Sequence, residues 1–204
     1  MPKIDEYYVE DKFRNTSLFD RKNHFQLTAE KYWHDINDCW QLIENCEEHL
    51  EILEECKRFT DWKIYSLSEV APKRLAKFGD KGFPGRWIAF PTHENFPTFM
   101  NWYERRKDCP CFGKDHYHDP EIRKLDAGAV ILPHTHDREI ESKYLYNMSI
   151  NHPEGCLFGI KPGGRVPYKA GDVMKINVWN EHCVWNNSEE DRYHAILGVI
   201  DDTK

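Results

Sequence analysis

The chain has 204 residues, 40% of them hydrophobic, and a formal charge of −7, which is enough length and apolar content to bury one core of ordinary size. An acidic balance, with no Lys/Arg cluster beside stacking aromatics, excludes the usual footprint of a nucleic-acid binder. The charged start MPKIDEYYVEDKF lacks the apolar stretch of a secretion signal, and no run approaches the roughly 20 apolar residues of a membrane span, so a cytoplasmic protein with no membrane partner is expected.

In chain order, the first strong pattern lies at 29–59. Few helix breakers occur there, and Ile36, Trp40, Ile43, Leu50 and Leu53, with Tyr32, Cys39 and Cys46 between them, recur at three-to-four spacing. This predicts one long amphipathic helix with Thr28 as its N-cap and an acidic outer face. A second, shorter helix is predicted over 97–106, with Pro97 suited to the first helical position. Phe96 before it offers no capping oxygen, so Thr98 is the alternative cap if the start slips. The loop CPCFGKDHYH places Cys109, Cys111, His116 and His118 near one another. Paired zinc-binding cysteines are usually separated by two to four residues, so the segment reads as a loop rather than a metal site. The seven cysteines follow no disulfide spacing, and free thiols are expected.

After residue 119 the texture changes to short β-branched and aromatic runs punctuated by Gly, Pro and Asn. Strands are predicted at 121–125, 129–134, 143–151, 156–161, 172–178, 182–186 and 192–200. Closely spaced strands without intervening helices imply an antiparallel sandwich or barrel, with the N-terminal helices packed on the outer face of one sheet. The expected fold class is therefore mainly β with flanking α. One domain is expected over 1–204, with a helix-rich support region at 1–118 and a β-rich core at 119–204.

Two of these strands carry polar faces. In KYLYNMSIN, Tyr144, Tyr146, Met148 and Ile150 face one way, while Leu145, Asn147, Ser149 and Asn151 face the other. On the last strand Arg192 and His194 share a side. A polar sheet face normally meets solvent; turned inward, these groups would converge with the histidines of ILPHTHDREIE and with His182.

The segments AGAVILPHTH, YNMSINHPEGC and EHCVWNNSEEDRYHAI together resemble the aspartyl/asparaginyl β-hydroxylase family and the related bacterial proline hydroxylases. The resemblance covers the chain from about residue 119 onward. It implies a double-stranded β-helix (a cupin-like jelly-roll) and an Fe(II)- and 2-oxoglutarate-dependent dioxygenase, releasing succinate and CO2 as it hydroxylates a small-molecule or peptide substrate, an amino acid or an amino-acid side chain. On that resemblance His134 and His182 are the metal-binding imidazoles, and Arg192 is the cation for the far carboxylate of 2-oxoglutarate. Asn147 stands where the family has a cosubstrate-contacting histidine, and His194 is placed to assist Arg192. Leu145 replaces a second arginine of the β-hydroxylases.

The third metal ligand departs from the proline-hydroxylase pattern of His-x-Asp, because position 136 is histidine. Asp137, His136 or water remain open for that place, with Asp137 slightly favoured because Fe(II) chemistry commonly uses a hard anionic oxygen. Substrate-recognition candidates are Arg86, Trp87, Arg105 and Arg106 in PGRWIAFPTHENF and NWYERRKD, against a plain packing role. Two other functions compete: a cupin-like metal enzyme that does without 2-oxoglutarate and uses three histidines, and a non-catalytic jelly-roll binding or assembly protein.

Overall fold

A computed structural model of the protein describes residues 33–34, 38–65, 85–106, 120–136, 138 and 143–200. Among them are twelve strands and two helices. In chain order these are β1 (Trp33–His34), β2 (Trp40–Asn45), α1 (His49–Arg58), β3 (Lys63–Ile64), β4 (Arg86–Ala89) and α2 (Pro97–Arg106). There follow β5 (Glu121–Leu125), β6 (Val130–His134), β7 (Tyr144–Ser149), β8 (Cys156–Ile160), β9 (Gly164–Arg165), β10 (Asp172–Asn177), β11 (His182–Asn186) and β12 (Arg192–Ile200). None of the described helices is long and apolar enough to cross a membrane.

The strands form an eight-stranded sheet in the order β1-β2-β10-β7-β12-β5-β4-β3 and a four-stranded sheet in the order β6-β11-β8-β9. From β5 onward the chain passes repeatedly from one sheet to the other, and every pairing is antiparallel. This is the winding of a jelly-roll.

Period-two alternation sorts the large sheet's side chains into two apolar clusters. One lies between the sheets and joins Leu145, Met174 and Ile176 to Phe158, Ile160 and Val184. The other joins Met148, Val173, Ala195 and Leu197 of the large sheet to Ile52 and Cys56 of α1 and to Phe99 and Trp102 of α2. The polar residues Asn147, Arg192 and His194 alternate with that second set, so they face the smaller sheet and are buried.

The single long helix expected over 29–59 is not what forms. Residues 40–45 are strand β2, paired with β10 through Trp40 opposite Ile176 and Leu42 opposite Met174; α1 begins only at His49. Trp40 and Leu42 join the cluster between the sheets, whereas Ile43 packs with the helices. The three-to-four spacing was thus the sum of a two-sided strand and a separate helix. Within α1 the buried side chains are Ile52, Glu55 and Cys56, while Leu50 is 61% exposed. Thr28 lies outside the described residues. The region before residue 119 is also not a helical support alone, since β1 to β4 extend the large sheet at both edges.

The second helix spans the expected residues, but its cap comes from elsewhere. The Glu55 carboxylate, 4% exposed, accepts the N–H groups of Thr98 at 2.7 Å and Phe99 at 3.2 Å. It satisfies two orphan donors at the helix start and complements the dipole there. Where β10 enters the sheet, the Gly171 carbonyl accepts the Cys46 N–H at 2.7 Å. Gly171 has φ +83, and a Cβ there would stand 2.7 Å from the Cys46 carbonyl oxygen.

Candidate metal centre

His134 ends β6 and His182 begins β11, directly opposite each other in the antiparallel register. Strand pairing therefore brings together two residues far apart in sequence, with ring centroids 4.3 Å apart. His136 lies two residues beyond, just past the strand. Its backbone N–H donates to the Val178 carbonyl at 3.0 Å. Its ring centroid stands 5.6 Å from that of His134 and 5.2 Å from that of His182. One nitrogen from each of the three rings lies within 4.8 Å of the other two.

Two of the rings are oriented by backbone carbonyls. His134 Nδ1 is 2.8 Å from the Leu132 carbonyl, and His182 Nδ1 is 2.8 Å from the Asn180 carbonyl. A carbonyl only accepts, so each Nδ1 carries a proton, which turns Nε2, the atom by which such a ring coordinates a metal, away from the carbonyl. His182 is buried and lies parallel to Phe158 at 6.0 Å. Burial, and after it the neighbouring His134 and His136, hold its imidazole well below the usual range, in the neutral form that coordinates metals.

Arg192 is fully buried at the start of β12. Among the described residues Arg192 makes no ion pair with Glu189, Glu190 or Asp191, its neighbours in sequence. Its Nη1 donates instead to His194 Nδ1 at 2.9 Å, while Nε and Nη2 have no hydrogen-bond partner among the described residues. Those two groups form one edge of the guanidinium, the fork that matches a carboxylate. Buried donors left unpaired are rare and costly, and here they point to an anionic ligand. Burial first, then the charges of Arg192, Arg123 and Arg86, keep His194 well below its usual value. It is therefore neutral and able to accept.

Aromatic contacts link the two groups. Phe158, stacked on His182, meets Tyr168 at 5.6 Å, and the Arg192 guanidinium lies 5.9 Å from the Tyr168 ring. The Tyr168 hydroxyl donates to Asn147 Oδ1 at 3.1 Å. Tyr168 and His152 were not among the expected site residues. Tyr168 sits in a stretch without strand periodicity, and its bond to Asn147 is a tertiary fact. His152, whose ring is 5.9 Å from that of Tyr168, has a buried Nδ1 without a hydrogen-bond partner among the described residues; burial and the nearby Arg192 push its imidazole down to about 4. Its only signal was its place beside the Asn-Met-Ser-Ile-Asn strand.

The other expectations fall as follows. Asp137, and Cys109, Cys111, His116 and His118, lie outside the described residues. The described cysteines at 39, 46, 56, 156 and 183 are not in disulfides. The recognition candidates are engaged in structural contacts: Arg105 pairs with Glu48 and Arg106 with Glu44. Trp87 Nε1 donates to Asp126 at 2.9 Å, and the Arg86 guanidinium stacks 4.5 Å from the Tyr65 ring.

A family model described as Aspartyl/Asparaginyl beta-hydroxylase matches residues 30–201. A search of curated proteins finds no match. Among solved structures, the chain resembles the non-heme α-ketoglutarate-dependent epimerase SnoN from nogalamycin biosynthesis, with 14% identity, TM-score 0.53, and coverage of 77% of this chain and 75% of that one. It is also similar to HygX from Streptomyces hygroscopicus, solved with nickel and 2-oxoglutarate bound, at 14% identity, TM-score 0.49, and 77% and 81% coverage. A 2OG-Fe(II) oxygenase family oxidoreductase from Burkholderia pseudomallei matches at 13% identity, TM-score 0.43, and 75% and 91% coverage. At this identity the likeness to SnoN establishes a shared fold and nothing finer.

Proposed function

The chain belongs to the aspartyl/asparaginyl β-hydroxylase family, and from that premise we propose that it is an Fe(II)- and 2-oxoglutarate-dependent dioxygenase hydroxylating an amino acid or an amino-acid side chain. One observation carries this reading: three clustered imidazoles belong to the same sandwich as a buried guanidinium whose carboxylate-matching edge has no partner among the described residues. The residues fit both groups. Imidazole suits iron among other metals, and His134 and His182 stand opposite each other on adjacent strands with their Nδ1 atoms donating to backbone carbonyls.

Bound iron and 2-oxoglutarate supply the oxidant: dioxygen takes two electrons from 2-oxoglutarate, which becomes succinate and CO2, and two from a substrate C–H bond, which becomes C–OH. The rest falls to the chain's own side chains. Arg192 holds the far carboxylate of the cosubstrate through Nε and Nη2. His194 fixes the guanidinium by accepting from Nη1, which leaves the fork facing its ligand. Tyr168 orients the Asn147 amide, and the packed rings of Phe158 and Tyr168 lie between His182 and Arg192.

Release of succinate from 2-oxoglutarate, dependent on dioxygen and Fe(II) and scored across free amino acids and short peptides, tests the proposal. Turnover stimulated by one class of substrate is expected, abolished in His182→Ala and reduced about tenfold or more in Arg192→Lys, which keeps the charge and loses the fork. The position of His136 within the cluster favours one competing reading, a three-histidine metal enzyme working without 2-oxoglutarate. Metal binding without any succinate would select it.

A further inference from the structure

We propose that the metal centre is all-imidazole, with His136 as its third protein ligand in place of a carboxylate. This rests on the metal reading above. Residues 134 and 136 are two apart, so an extended chain presents both on one side, and the bond from the His136 N–H to the Val178 carbonyl holds the backbone there after the strand has ended. The three rings stand 4.3, 5.2 and 5.6 Å apart between centroids. Metal–nitrogen bonds of about 2.0–2.1 Å would draw together three nitrogens that already lie within 4.8 Å of one another.

The consequence is electrostatic. Three neutral donors supply no charge of their own to offset a divalent ion. Arg192, connected to His182 through Tyr168 and Phe158, adds a third positive charge on the same side of the large sheet, with its fork unpaired among the described residues. A centre of this kind draws its anions from its ligands, and the dianion 2-oxoglutarate meets the metal at one end and the guanidinium at the other.

Cu(II) is a suitable probe, because it binds nitrogen sites more tightly than the other divalent first-row ions and its pulsed EPR spectrum counts coordinated imidazoles. The metal-stripped full chain loaded with one equivalent of Cu(II) is expected to show three imidazoles. His136→Ala and His136→Asp should each show two. His136→Ala should lose about tenfold or more in Cu(II) and Ni(II) affinity, whereas His136→Asp, which supplies an oxygen donor, should recover much of it. Asp137→Asn should match the wild type in both count and affinity. Two imidazoles in the wild type, or an affinity loss in Asp137→Asn equal to that in His136→Ala, overturns the proposal while leaving the dioxygenase reading standing. A wild-type chain that binds neither Cu(II), Ni(II) nor Fe(II) overturns both. The wild-type spectrum decides even if a variant fails to fold.

Discussion

At the scale of single residues, Arg192 concentrates the account. A guanidinium has five N–H donors, and burying it with its Nε and Nη2 unpaired is tolerable only if a ligand later satisfies them. Arg192→Met should therefore change the stability of the ligand-free protein little, since the orphaned donors leave together with the single bond to His194. The same variant should lose the thermal stabilisation that 2-oxoglutarate gives the wild type, worth about 2.7 kcal/mol at a hundredfold excess over Kd. Melting curves with and without 2-oxoglutarate, at fixed Ni(II), check this; an unchanged ligand-induced shift would remove Arg192 from the site. Family spacing singles out His134, His182 and Arg192 in the sequence, and the fold pairs the two histidines across β6 and β11 and buries the arginine. His152 and Tyr168 are not legible in the sequence, because what makes them relevant is burial beside Arg192 and a hydrogen bond to Asn147, neither of which has a local pattern.

At the scale of elements, α2 starts on a carboxylate borrowed from α1. Glu55→Ala would leave two buried N–H groups without acceptors and should cost about 2 kcal/mol, read as a lower midpoint in urea unfolding. Glu55→Gln, which keeps one acceptor oxygen, should cost less than half of that. Equal losses would mean that Glu55 acts through its charge on the helix dipole rather than by hydrogen bonding. Gly171→Ala should destabilise the junction of β2, α1 and β10, because a methyl group there meets the Cys46 carbonyl and the φ is one that alanine resists. The later strands could be read from alternation and turn residues almost to the residue, as β11 and β12 show. β2 could not. Trp40-Gln-Leu-Ile-Glu-Asn has apolar side chains on both faces because it is covered by helices on one side and by the smaller sheet on the other, and a strand buried on both faces shows no alternation to read.

At the scale of the whole molecule, the polar residues that look misplaced on a sandwich face are the reason the interior is not solid hydrocarbon, and they set its response to acid. His152, half-buried and held down to about 4 against a usual value near 6.5, and the buried His194, also lowered, are neutral in the folded protein. The unfolded chain binds their protons first, so their contribution is complete above pH 6.5 and is lost as pH falls towards 4. The melting temperature should decline across that window, and His152→Gln should flatten part of the decline; an unaltered slope would place the acid sensitivity elsewhere. The central claim is that the histidines from β6 and β11 and the arginine of β12 serve one metal and one dianion. Anaerobic titration of the metal-free protein with Fe(II) and then 2-oxoglutarate tests it most directly. A weak visible charge-transfer band should appear only when both are present, vanish in His182→Ala and diminish in Arg192→Lys. A featureless spectrum at saturating Fe(II) and 2-oxoglutarate would contradict it.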